Sequence, residues 1–295
     1  QQAERTVQAL PNVRAVTAIL TAERGQSGAS SSAQSDPHGM NKNPKLTLPI
    51  KKIIAVASGK GGVGKSTVAV NLAAALARND KTVGLLDADI YGPSVPKLTG
   101  LAYQKPPINA AGKLVPFEAH GMKIMSIGFM TDPDVPMIWR GPMVQSAIYQ
   151  MLRDVEWAQA DAPLDVLVID MPPGTGDAQL TIAQKIDVDG AIIVSTPQDL
   201  ALIDAIKAIE MFNKTNVPIL GLIENMSMYV CSHCGHQEPI FGNGSIQQEA
   251  KKRNVPYLGG IPLSKDIREQ SDRGQLCDSK TYNQISQNVL DTLQR

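Results

Sequence analysis

The stretch Ile53-Ile54-Ala55-Val56-Ala57-Ser58-Gly59-Lys60-Gly61-Gly62-Val63-Gly64-Lys65-Ser66-Thr67 decides the fold. Five apolar residues in a row read as a buried parallel strand. From Ser66 to Arg78, Val68, Leu72, Ala75 and Leu76 recur at helical spacing. Between them, Gly59 to Ser66 spells G-x-x-x-x-G-K-S, the phosphate-binding pattern in the strand-turn-helix setting it requires. The alternative reading is an ordinary glycine-rich turn. Glycines let successive N–H groups point at one anion, and the helix N-terminus adds its positive dipole end. The phosphate cradle is therefore Gly59, Gly61, Gly62, Val63, Gly64, Lys65, Ser66 and Thr67, while Lys60 reads on its own as a solvated surface lysine. Lys65 is assigned to the β- and γ-phosphates of ATP and the Ser66 hydroxyl to Mg²⁺.

The chain has 295 residues, 43% apolar and 19% charged, enough for one large α/β domain with an appendage. Basic and acidic side chains number 28 each, which gives no electrostatic reason to expect nucleic acid or an anionic membrane as partner. No apolar run reaches about eighteen residues, the length of a membrane-spanning helix, and no secretory signal opens the sequence. Three cysteines, two of them in one CxxC, argue against a disulfide scaffold and for a reducing compartment.

Outward from the phosphate loop, strands and helices alternate. Strands are expected at Lys81 to Leu86, Met122 to Met130, Leu164 to Ile169, Ala191 to Ser195, Ile219 to Ile223 and Tyr257 to Ile261. Helices are expected at Pro142 to Val155, from Asp199 to about Asn213, and at the end, where Ile285, Val289 and Leu293 form a stripe. Residues 100 to 121 read as an irregular excursion. This order predicts an α/β fold, a mostly parallel, doubly wound sheet covered on both faces. Upstream, residues 1–23 read as one helix and one strand, residues 24–49 as a Ser/Gly/Asn/Pro-rich flexible linker, and the main domain spans 50–295.

Two acidic positions end strands, where ligand sites of open α/β sheets lie. Asp170 closes Val166-Leu167-Val168-Ile169, the Walker B form, and would hold the hydration shell of Mg²⁺. Asp87 and Asp89 close the preceding strand as Asp-Ala-Asp, with Asp87 supporting the Mg²⁺ shell or the loop. Singly, each aspartate could merely cap a turn. Met171-Pro172-Pro173-Gly174-Thr175-Gly176-Asp177 pairs stiff and permissive halves, as suits a two-position switch sensing the γ-phosphate.

Cys231-Ser232-His233-Cys234 places two thiolates at metal-ligand spacing for iron or zinc. A lone CxxC is also compatible with half a zinc site, to which His236 could add a third ligand. A redox pair is disfavoured because the motif does not open a helix. Cys277 reads as a small apolar side chain.

Taken together, Gly-Lys-Gly-Gly-Val-Gly-Lys-Ser, Asp89-Ile90-Tyr91-Gly92-Pro93-Ser94, Trp139-Arg140-Gly141-Pro142, the Asp170 loop and Glu224-Asn225-Met226-Ser227 resemble the Mrp/ApbC iron–sulfur carriers. These are P-loop ATPases with a deviant phosphate loop, akin to the nitrogenase iron protein and the septum-site and partition ATPases. The resemblance covers roughly residues 50 to 270. It implies a slow ATP hydrolase acting as a homodimer, with Lys60 reaching the partner's nucleotide, Asp89 orienting the attacking water and Asn225 hydrogen-bonding adenine. Cys231 and Cys234 would bind a 4Fe-4S cluster shared between subunits, taken from an assembly scaffold and delivered to apo-proteins. Neither nucleic acid nor membrane is expected as partner, and the compartment would be the bacterial cytoplasm or, alternatively, the mitochondrial matrix. Residues 1–23 resemble the C-terminal half of a small domain that often precedes such ATPases, so the sequence is expected to start mid-domain. The rival is a positioning ATPase of the septum-site or partition kind. It has no use for Cys231 and Cys234, and its membrane form needs a basic tail that Asn283 to Arg295 lacks.

Overall fold

Strand β1, Ile50–Ala57, lies near the middle of a nine-stranded sheet and feeds the phosphate loop into helix α1, Lys65–Arg78. The computed structural model describes residues 45–102, 104–130 and 141–294. In chain order the remaining elements are β2 (Val83–Asp87), the short α2 (Val95–Leu98), β3 (Phe117–Ala119), β4 (Met122–Ser126), α3 (Gly141–Arg153), β5 (Leu164–Asp170), α4 (Asp177–Lys185) and β6 (Gly190–Ser195). Then come α5 (Asp199–Lys214), β7 (Ile219–Val230), β8 (Gln237–Glu238), α6 (Ser245–Arg253), β9 (Tyr257–Leu263), α7 (Lys265–Asp272) and α8 (Lys280–Leu293).

The sheet order is β3-β4-β2-β5-β1-β6-β7-β8, with β9 also on β7. Strands β4, β2, β5, β1, β6, β7 and β9 run parallel, while β3 and β8 are antiparallel additions at the edges. The central strands are apolar at consecutive positions because helices cover both faces: every residue of β2 and β6 is buried. Helix α1 is buried from Val68 to Leu76, which its small Ala73, Ala74 and Ala75 permit between the sheet and α8. The last helix buries Ile285 and Val289, with Leu293 partly buried against the same core.

The doubly wound α/β expectation holds, with local corrections. The strand expected through Met130 ends at Ser126, because the Ser126 hydroxyl accepts the Gly128 N–H and starts a 3₁₀ turn, Ile127–Phe129. The strand expected to stop at Ile223 runs on to Val230. Residues 45–49, read as the end of the linker, already belong to the domain: Leu46 N–H donates to Lys185 O, and Leu46 and Leu48 pack on the core. Helices α2, α4, α6 and α7 had no clear periodic signal. The expectations for residues 1–44, and for Trp139 and Arg140, lie outside the described residues.

Candidate functional site

The phosphate loop leaves β1 at its C-terminal end, beside the ends of β2, β5 and β6. Gly62 and Gly64 take φ values of +82° and +84°, open to glycine at little cost. Gly59 has no room for a side chain: a Cβ there would overlap the α5 backbone at Asp204. Val63 is buried and pins the loop to the core, while Gly61 and Gly62 face outward. Asn225, on β7, donates from Nδ2 to Val63 O at 2.8 Å, and a Cβ on Gly64 would overlap that amide. One N–H of Asn225 thus braces the loop. Ser66 and Thr67 sit half-buried on the first turn of α1, and half-buried Lys60 forms no ion pair among the described residues.

Behind the loop, three carboxylates face one ammonium. Lys65 is only 6% exposed; its Nζ lies 2.5 Å from Asp170 Oδ1, 3.6 Å from Asp89 Oδ2 and 3.3 Å from Ser66 Oγ. Burial pushes the Asp170 carboxyl up, against the pull of Lys65 and of the Ser66 hydroxyl that donates to it. Asp87 is fully buried; burial, then the charge of Asp170, raise it to about 7.

Hydrogen bonding separates the roles of the three acids. Asp87 is used up by the protein: Oδ1 accepts from Asp89 N at 3.1 Å, and Oδ2 accepts from Val95 N at 3.2 Å and Ser126 Oγ at 2.8 Å. Asp89 Oδ1 and Asp170 Oδ2 are buried without a hydrogen-bond partner among the described residues. Buried polar oxygens are rarely left so unless a ligand completes them. Two such oxygens, the Ser66 hydroxyl and an excess of negative charge fit Mg²⁺, which prefers oxygen ligands and retains several waters. The Mg²⁺ assignments of Ser66 and Asp170 therefore suit the chemistry present, and Asp87 falls to loop support.

The Pro172 loop is tied to its neighbours by backbone. Met171 N donates to Val56 O at 3.0 Å, Gly174 N to Ser58 O at 3.0 Å, and Ala88 N to Asp170 O at 2.9 Å. Gly174 has a φ of +91°, and Gln179 Nε2 donates to Pro172 O at 2.5 Å. Ser126 and Gln179 escaped sequence reading, because neither lies in a motif.

Strand β7 carries Glu224 and Asn225 at the nucleotide end and continues to Val230, immediately before Cys231. Glu224 is anchored by the Ile246 N–H at the start of α6 and by Tyr257 Oη at 3.3 Å from Oε2; burial raises its carboxyl. Beyond β7 a tight turn closes through Cys231 N to His236 O and Gly235 N to Cys231 O, both 2.9 Å. The N–H groups of Cys234 and His233 point at the Cys231 sulfur, and with the Cys234 thiol they hold the Cys231 thiol below its usual value. Cys231 is half-buried, Cys234 exposed and neither is disulfide-bonded. Among the described residues, His236 is not grouped with the two thiols as a three-ligand set of His, Cys, Asp or Glu. Cys277 is buried far down the chain, its thiol raised by desolvation, as expected of an apolar filler.

Large apolar side chains are exposed along the same end of the sheet: Leu200 (72%) and Ile203 (50%) at the start of α5, Ile240 (53%) after the cysteine turn, and Tyr91 (68%) in the Asp89 loop. No helix among the described residues is long and apolar enough to cross a membrane.

The chain is similar to several known proteins. The ParA family profile described as NUBPL iron-transfer P-loop NTPase matches residues 49–295. The chain is 55% identical over 240 residues to an "Iron-sulfur cluster carrier protein" of Pseudomonas fragi, covering 81% of this chain and 82% of that one. It is 44% identical over 299 residues to the "Iron-sulfur cluster transfer protein NUBPL" of Dictyostelium discoideum, covering 96% and 91%. Among solved structures, an ADP-bound nucleotide-binding protein from Archaeoglobus fulgidus superposes with a TM-score of 0.68 at 40% identity, covering 77% of this chain and 88% of that one. The cell division ATPase MinD of Pyrococcus furiosus, at a TM-score of 0.58 and 20% identity over 82% of this chain and 99% of its own, shares the fold.

Proposed function

The chain belongs to the NUBPL iron-transfer P-loop NTPases, and on that premise we propose that it is an ATP-hydrolysing carrier that holds a 4Fe-4S cluster between two copies of itself and passes it to apo-proteins. The observation that carries this reading is the single strand β7. It bears Asn225, bound to the phosphate loop, and ends where the cysteine turn begins. Cys231 lies six positions beyond Asn225, up to about 20 Å of extended chain. A shift of the loop is thereby passed toward the thiols along one strand, which bends at Met226.

In the nucleotide site, the loop amides and Lys65 hold the phosphates, with Lys65 leaving Asp170 for the β/γ oxygens. Ser66, and Asp170 through water, would hold Mg²⁺, which would supply neutralisation of charge at the phosphates. Asp89 orients the attacking water with its partnerless oxygen. Asn225, with one N–H committed to Val63, retains its carbonyl oxygen and second N–H for adenine. Lys60, which forms no ion pair among the described residues, is the group to reach the partner's nucleotide. The cluster is cargo rather than a resident cofactor: two thiolates per chain fall short of the four that a cubane takes, and a second copy supplies the rest. The exposed Leu200, Ile203 and Ile240 supply apolar area for that contact.

The matches span bacterial relatives and an Arabidopsis thaliana protein named as mitochondrial. We place this chain in a reducing compartment of that kind, bacterial cytoplasm or mitochondrial matrix. The MinD likeness, at about a fifth identity, brings no positioning role with it. The test is transfer: protein reconstituted anaerobically should restore activity to an apo-enzyme that needs a 4Fe-4S cluster, faster than free iron and sulfide do under a chelator. Equal rates with and without the carrier would overturn the carrier reading.

A further inference from the structure

The Asp-Ala-Asp loop must hold Asp89 still while its neighbours move, yet among the described residues Asp89 Oδ1 has no partner and Asp89 Oδ2 has only the distant Lys65 ammonium. What fixes its backbone is Asp87, whose Oδ1 accepts the Asp89 N–H. Asp87 in turn is oriented by Ser126, at the far end of a different strand. Ser126 is fully buried and donates to Asp87 Oδ2 at 2.8 Å. Its hydroxyl oxygen accepts Gly128 N at 2.9 Å, so the donor direction is set by the protein and cannot swing away. Register strengthens the argument: Asp87 pairs with Ser126 on one side and with Asp170 on the other, a row across β4, β2 and β5. The turn after Ser126 also backs the loop itself. A Cβ on Gly128 would press on Pro93 and Pro96, on either side of Val95, whose N–H is Asp87's other ligand.

We propose that Ser126 is a positioning residue for ATP hydrolysis: it locks the Asp87 carboxylate, and Asp87 locks the backbone that carries Asp89. This rests on the ATPase reading above. Both oxygens of Asp87 are engaged by the protein, so it acts on the loop. Without the Ser126 hydroxyl, Asp87 Oδ2 keeps only the longer Val95 bond, and in a buried site an unpaired carboxylate lone pair is costly enough to reorient the group. Asp89 then loses its fixed aim, while the phosphate loop, on β1 and α1, is untouched.

The experiment compares Ser126→Ala, Asp87→Asn and the double variant with the unaltered chain, reading Mg²⁺-dependent phosphate release and, separately, hydrogen exchange at the Asp89 and Val95 amides. In Ser126→Ala, kcat should fall by about tenfold, the scale of one lost hydrogen bond to a charged group, with KM for ATP within about twofold. The Asp89 and Val95 amides should exchange faster. The double variant should be no slower than Asp87→Asn alone, since Ser126 acts through Asp87. If Ser126→Ala does not fold, Ser126→Cys, similar in size but a weak donor, replaces it. Unchanged kcat with unchanged exchange would overturn the proposal, as would additive losses or a fall in ATP affinity equal to the fall in kcat. A chain that releases no phosphate at all would sink the ATPase reading instead, and the exchange data would still decide whether Ser126 and Asp87 fix the loop.

Discussion

Lys65 Nζ sits 2.5 Å from Asp170 Oδ1, so the lysine of the phosphate loop is bonded to the aspartate that closes β5. Lys65 is the only cation paired with Asp87, Asp89 or Asp170 among the described residues, and all four side chains are nearly or wholly buried. A nucleotide that claims Lys65 removes that counter-charge, and Mg²⁺ arriving with the phosphates returns it. ATP and metal are therefore expected to bind as a unit.

Lys65→Ala should abolish ATP turnover, and it should also destabilise the nucleotide-free chain. Removing one member of a buried ion pair typically costs about 3–5 kcal/mol. Urea unfolding at pH 8 should show a loss of that order, shrinking as the pH is lowered through about 7 and Asp87 takes up its proton. A normal unfolding midpoint at pH 8 would mean that Lys65 does not neutralise this cluster.

Asp87 gives stability a definite pH dependence. Burial, and then the Asp170 charge, raise its carboxyl from 3.8 to about 7. A raised folded value means that the contribution is fully present below the unfolded value and is lost as pH climbs through about 7. Stability should therefore fall between about pH 4 and 7 more steeply in the unaltered chain than in Asp87→Asn, which cannot ionise and whose lost hydrogen bonds weigh equally at every pH. Parallel pH profiles for the two would contradict the assignment.

Much of this site was legible in the chain because its key residues lie in contiguous words. Gly59 to Thr67, Asp89 and Asp170 each end an apolar run, and a run of that kind can only be a buried strand with its ligand site at the tip. Other parts depend on pairing between distant strands, which no local pattern records. Ser126 lies 39 residues from Asp87 and meets it only through the β2–β4 register. Likewise, Asn225 was read as an adenine contact from its motif, but its bond to Val63, 162 residues away, follows from sheet order. The extension of β7 past Ile223 was hidden because Asn225, Met226 and Ser227 break the apolar pattern, and Met226 adopts a φ of +55° where the strand bends.

Lys60 tests whether the site is completed by a second copy. Lys60→Ala should lower turnover while each chain still binds ATP. Mixing Lys60→Ala with Asp89→Asn chains should restore part of the activity. In such a mixed dimer, one of the two sites holds an intact Asp89 and receives the partner's intact lysine. Absence of recovery after demonstrated subunit exchange would count against action across an interface.

The account's central claim is that two copies hold one 4Fe-4S cluster through Cys231 and Cys234. Iron and acid-labile sulfide per dimer, measured after anaerobic reconstitution and sizing, test it most directly. About four of each per dimer are expected, with the cluster lost in Cys231→Ser or Cys234→Ser and retained in Cys277→Ser, and with ATP binding kept in all three. Tightly held zinc without sulfide in anaerobically purified protein, or a full cluster on a single chain, would contradict it.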